Sequence, residues 1–193
     1  MRKFLILALS CLALPVLAQP LKDGARFYEQ GDYTRALAAW RPLASQGNAE
    51  AQNNLGLLYL DGKGVAANLP EAVRYFQLSA AAGSALGQNN LGGLYRDGRG
   101  VPQDFARAAR WFAASASQGN TAGMYNLGLM YELGQGMKAD RIEASMWYAL
   151  AASDVPNAAA HRDALWRTMA PAAQNRARQM AASCRQSGFK TCH

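Results

Sequence analysis

From residue 49 onward the apolar positions fall into paired helical stripes that recur every 36 residues. Asn54-Leu55-Gly56-Leu57-Leu58-Tyr59 returns as Asn90-Leu91-Gly92-Gly93-Leu94-Tyr95 and again as Asn126-Leu127-Gly128-Leu129-Met130-Tyr131. The same step carries Gly62-x-Gly64-Val65 onto Gly98-x-Gly100-Val101 and Gly134-x-Gly136-Met137. It also carries Ala72, Tyr75 and Phe76 onto Ala108, Trp111 and Phe112, then onto Ala144, Trp147 and Tyr148. Ala51, Leu55 and Tyr59, four residues apart, draw one apolar stripe and predict a first helix. Asp61-Gly62 ends it, and Gly62 and Gly64 admit the left-handed backbone of such an exit. A second helix is predicted from near Pro70 or Phe105, with Ala72 and Phe76 one turn apart, closed by Gly83 or Gly119. Gly56 lies mid-helix without a capping task, at a cost of about 1 kcal/mol against alanine. It predicts close approach of the two helices.

Neither helix of a unit buries its stripe alone, so neighbouring units must stack. The units span 49–84, 85–120 and 121–155. Tyr33, Ala36, Trp40 and Gly47 fit the second-helix pattern, making 19–48 a degenerate pair whose first helix falls in 20–30. Residues 156–193 hold two more amphipathic segments: 157–169, with Leu165, Trp166 and Met169, and a stretch after Pro171 with Ala173, Ala177, Met180 and Cys184. Degenerate ends of this kind are expected of caps.

Composition agrees with an all-α chain. It has 39 Ala but only 5 Val, 2 Ile and 4 Thr, too few β-formers for a sizeable sheet. Two His and three Cys leave little material for metal or nucleophile chemistry, which weighs against an enzyme. At the start, Arg2-Lys3, the apolar run Phe4 to Leu14, Pro15 and Val16-Leu17-Ala18 read as a secretory signal peptide covering 1–18, cleaved after Ala18. The run is too short to stay as a membrane span, and the mature chain has no other, so a periplasmic location is expected. Cys11 leaves with the leader. Cys184 and Cys192, eight residues apart around Gly188, then either form a disulfide suited to that compartment or remain free thiols.

The net charge of +7 is unevenly placed. Residues 19–155 balance 12 Lys+Arg against 12 Asp+Glu, while 156–193 hold Arg162, Arg167, Arg176, Arg178, Arg185 and Lys190 against Asp163 alone. This basic patch is either a solvated face or a docking surface for an anionic partner or surface. Nucleic acid is not expected, because no stacking surface is interleaved with the charge.

The unit Ala-x-x-x-Leu-Gly-x-x-Tyr, Gly-x-Gly-Val, Ala-x-x-(Tyr/Trp)-Phe and closing Gly resembles the Sel1-like repeat, a relative of the tetratricopeptide repeat. Gly31-Asp32-Tyr33-x-x-Ala36-Leu37 resembles the corresponding tetratricopeptide turn. The resemblance implies a right-handed α-solenoid of antiparallel helix pairs that binds another protein or peptide on its concave face. First helices line that face, and their outward positions are Asn53, Asn89 and Tyr125; Leu57, Gly93 and Leu129; and Leu60, Arg96 and Glu132. The repeated Asn54, Asn90 and Asn126 are expected to make structural hydrogen bonds to backbone at unit junctions. The aromatic pairs are expected in the core.

Catalytic, cofactor and metal motifs are missing. Gly62-x-Gly64 and its copies lack the third glycine and the strand of a dinucleotide loop, and no His-Glu-x-x-His occurs. Ser187-Gly-Phe-Lys190 matches Ser-x-x-Lys of penicillin-recognising enzymes, without its companion motifs. Some Sel1-like proteins linked to β-lactams carry a cysteine pair per repeat, absent from these repeats. His161 shows no base-orienting partner. The reading is a non-enzymatic interaction module of the cell envelope; a β-lactam-recognising hydrolase and a passive spacer are the alternatives.

Overall fold

A computed structural model describes residues 18–192, which form ten α-helices with no strand among them. The expected leader, except its last residue, lies outside the described residues. The helices are α1 (Ala18–Glu29), α2 (Tyr33–Ser45), α3 (Ala49–Asp61), α4 (Leu69–Ala81), α5 (Ala85–Asp97), α6 (Phe105–Ala116), α7 (Thr121–Leu133), α8 (Arg141–Ala151), α9 (Pro156–Trp166) and α10 (Pro171–Gln186). Each of α1 to α8 packs on the next, and α3, α5 and α7 also touch in succession, which stacks the pairs into a solenoid.

Side-chain caps mark where α2 to α8 begin, with Asp32 accepting from the Arg35 N–H at α2. Asn48, Ser84 and Asn120 accept from the backbone N–H of the third residue onward at α3, α5 and α7, and Asn68, Asp104 and Asp140 do so at α4, α6 and α8. Such caps each stabilise a helix by about 1 kcal/mol. First helices of the three units end on Gly62, Gly98 and Gly134, all left-handed. The second glycine of each connection is a seat as well as a turn. A Cβ on Gly64 would strike the Tyr33 backbone at 2.5 Å, and one on Gly136 the Phe105 backbone at 2.3 Å.

The close approach expected of Gly56 is present in every unit. A Cβ there would lie 2.7 Å from the Phe76 ring, with Gly92 against Phe112 and Gly128 against Tyr148 in the same relation. Gly24 against Trp40 is a fourth case, in the N-terminal pair. These rings and Leu55, Leu91 and Leu127 are buried, and with the small alanines they make three core clusters in succession along the chain. Of the aromatic pairs, Tyr75 and Trp111 remain half-buried.

The C-terminal end departs from the repeat. α9 takes the place of a further first helix and stops at Trp166, short of the expected 169. α10 then lies against α8, and Arg185 donates to the Ala149 carbonyl at 2.9 Å. The Cys184 and Cys192 sulfurs are bonded, with Cα atoms 4.6 Å apart, and left-handed Gly188 and Phe189 turn the tail back.

Candidate functional site

First helices form one wall of the solenoid, and asparagines run along it. Asn90 Nδ2 donates to Asn53 Oδ1 and Asn126 Nδ2 to Asn89 Oδ1, each at 2.8 Å. Asn90 and Asn126 therefore bond to side chains of the preceding unit, while Asn54 accepts from adjacent Asn53 at 3.3 Å, correcting the expectation of backbone acceptors. The step also corrects Asn53. At 2% exposure it is buried as the acceptor of a rung and is not an outward position. Asn89 serves the same way but stays half-exposed.

The central hollow of this wall has a volume of about 190 Å³ and is bordered by Leu60, Asn89, Asn90, Gly93, Arg96 and Asn126, among others. Four of the nine expected positions thus meet in one place. Gly93 has open space where a side chain would be. Arg96 is held from two sides, donating to both Asp97 oxygens at 2.7 and 3.2 Å and to Asn126 Oδ1 at 3.0 Å. That fork holds the Asp97 carboxyl below its ordinary range, and Asp97 in turn raises Arg96.

Leu57 lies in a separate N-terminal hollow of about 270 Å³, with Tyr28, Trp40, Glu29, Glu50 and Asn54. Toward the other end, Tyr125 and Glu132 join a cluster with Tyr148 and His161, and half-buried Leu129 packs on the core nearby. Glu132 Oε2 accepts from the Tyr148 hydroxyl and lies 3.2 Å from His161 Nδ1, so His161 does have a partner. Burial, and then the Glu132 bond, pushes the Tyr148 phenol well above its usual value. The sequence signal was spacing: Arg96 reaches Asn126, 30 residues on, and Glu132 reaches His161, 29 residues on. α9 continues the wall by one more helix.

The basic residues do not form one patch. Arg162 and Arg178 both lie over the Trp166 ring, at 4.8 and 4.3 Å, and Arg162 pairs with Asp163. Arg185 is tied to α8, while Arg167, Arg176 and Lys190 are exposed. Ser187 donates to the Cys184 carbonyl and accepts from Thr191 N–H, closing the tail beyond α10. Among the described residues, no three His, Cys, Asp or Glu side chains gather as a metal site, and no helix is long and apolar enough to cross a membrane.

Residues 49–84, 85–120 and 121–154 each match the family described as Sel1 repeat. Among solved structures, a Sel1 repeat protein from Oxalobacter formigenes is similar at 30% identity and a TM-score of 0.67, over 72% of this chain and 55% of that one. A protective antigen of uropathogenic Escherichia coli displaying an SLR fold is similar at 24% identity and a TM-score of 0.61, over 90% of this chain and 47% of that one. The chain thus spans about half the length of these relatives. No curated protein matches it.

Proposed function

The chain belongs to the Sel1 repeat family, whose members generally serve as scaffolds for protein–protein contact, and from that footing we propose an adaptor that holds a partner protein in the first-helix groove. The observation that carries this reading is the central hollow, where Leu60, Asn89, Gly93 and Arg96 converge beside the asparagine rungs. Amides and an oriented guanidinium suit the backbone and acidic groups of a peptide, and the absent Gly93 side chain leaves it room. The residues that differ between units, Leu57, Gly93 and Leu129 with Leu60, Arg96 and Glu132, set which peptide fits. The adaptor works without catalysis, and exposed Arg167, Arg176 and Lys190 add a second contact for an anionic surface.

The proposed location is the bacterial periplasm, supported by the basic start, apolar run and Val16-Leu17-Ala18 of the leader. Its test is shared with the groove. The tagged full chain, expressed in its host, is recovered from the envelope fraction with whatever it holds. Mass spectrometry should find a chain beginning at Gln19. Gly93→Arg fills the hollow without striking its own helix, so it should lose the bound partner and keep wild-type helicity. A partner retained unchanged by Gly93→Arg defeats the groove reading. Absence of any specific partner leaves the spacer.

A further inference from the structure

The second helices carry an equivalent surface in each unit, and its cover differs. In the third unit Met146, Trp147 and Leu150 on α8 are buried, and the chain's own α10 lies against that helix. In the first unit Tyr59 and Tyr75 stack at 5.6 Å and Arg74 lies 4.2 Å over Tyr75 while pairing with Glu71, with Leu78, in register with Ala114 and Leu150, left exposed. In the second unit Tyr95, Arg107, Arg110, Trp111 and Ala114 border an open cavity of about 450 Å³. Stepping 36 residues from Arg110, Trp111 and Ala114 gives Met146, Trp147 and Leu150. Of the three equivalent surfaces, one is therefore covered by a helix, one carries its own ring stack with a paired arginine, and one borders an open cavity.

The charge of the open seat differs from that of the filled one. Arg107 and Arg110 stand in register with Glu143 and Met146. Arg107 is bound to Asp104 at 3.2 Å and lies over the Tyr95 ring. Arg110 is exposed and has no acidic partner. A half-buried tryptophan beside a free guanidinium is the pairing enriched at the centres of protein interfaces, and the guanidinium fork matches a carboxylate. The third unit's seat receives a basic helix, with Arg176, Arg178 and Arg185. Of these only Arg185 is bonded to α8, through the Ala149 carbonyl, so the acidic preference of the open seat rests on Arg110 itself.

We propose that the open seat of the second unit docks an acidic amphipathic helix of a partner protein, its apolar side on Trp111 and Tyr95 and a carboxylate on Arg110. This surface is formed by α6 together with Tyr95 of α5 and shares no lining residue with the groove hollow. The probe is a fluorescein-labelled peptide with the sequence of residues 171–186 carrying Arg176→Glu, Arg178→Glu, Arg185→Glu and Cys184→Ala. Fluorescence anisotropy with the full chain should show binding that weakens with salt and falls at least about tenfold in Arg110→Glu. The same peptide with only Cys184→Ala should not bind. Arg110 is exposed and makes no internal hydrogen bond or ion pair, so Arg110→Glu should keep the fold, checked by circular dichroism. Failure of the acidic peptide to bind, or binding indifferent to Arg110→Glu, overturns the proposal. So does a wild-type dimer on sedimentation that Arg110→Glu dissociates, since that gives the seat to a second copy.

Discussion

The inside of each helix pair and the groove face of the same first helix follow opposite rules along the chain. Inside, the units repeat: Leu55, Leu91 and Leu127 are buried, and Gly56, Gly92 and Gly128 each receive a ring from the second helix. On the groove face one register holds Leu57, Gly93 and Leu129, and another holds Leu60, Arg96 and Glu132. Gly92 and Gly93 are adjacent residues on opposite sides of this divide. One glycine is a packing necessity and the other is a vacancy. Repetition in such a chain marks where helices touch, and departure from it marks the face on which the proposed partner would lie.

The sharpest way to break the contrast is to add one methyl on each side of it. In Gly92→Ala the new Cβ would sit 2.8 Å from the Phe112 ring and 3.3 Å from the Ala108 carbonyl oxygen. Overpacking of this kind costs about 1–3 kcal/mol, measurable as a lower urea midpoint. Adding Phe112→Leu, which shrinks the opposing ring, should cost less than the two changes summed. Gly93→Ala should do the reverse. Its Cβ meets nothing within 4 Å, so removing a mid-helix glycine should raise stability by about 0.5–1 kcal/mol. Equal effects at the two glycines would erase the distinction.

The smallest effect concerns the groove's ion pair. Arg96 holds the folded Asp97 carboxyl below its unfolded value, so the pair contributes stability at neutral pH that is lost as pH falls through the lowered folded value. Both partners are partly exposed, which screens the contribution to below about 1 kcal/mol. Asp97→Asn should therefore be slightly less stable than wild type at neutral pH, and the two should converge in acid. Urea titrations across that range check it, and a gap that widens in acid would contradict the assignment.

Most of the fold was legible because a solenoid writes its contacts locally. The 36-residue step located the helix pairs, the left-handed Gly62 and the approach at Gly56, each set by residues within one unit. The seven side-chain caps were visible as Asn, Ser and Asp before α2 to α8 but call for reading the residue outside the periodic stripe. Asn53 was misplaced because its burial comes from the next unit's asparagine reaching back, which a single helix wheel does not contain. His161 and the seat of α10 depend on how the degenerate cap docks, and there the period gives no register to follow.

The asparagine rungs have a consequence for any ligand that lies along the wall. They line the groove and also fasten one unit to the next, so a rung cannot be exchanged for a better contact without loosening the stack. Under the proposed adaptor reading, recognition would be quantised. A chain held in the groove would meet amide steps at a pitch dictated by the architecture, with a few interchangeable sites between them. Longer ligands would be accommodated by counting in whole repeats, and selectivity would be edited only in the gaps.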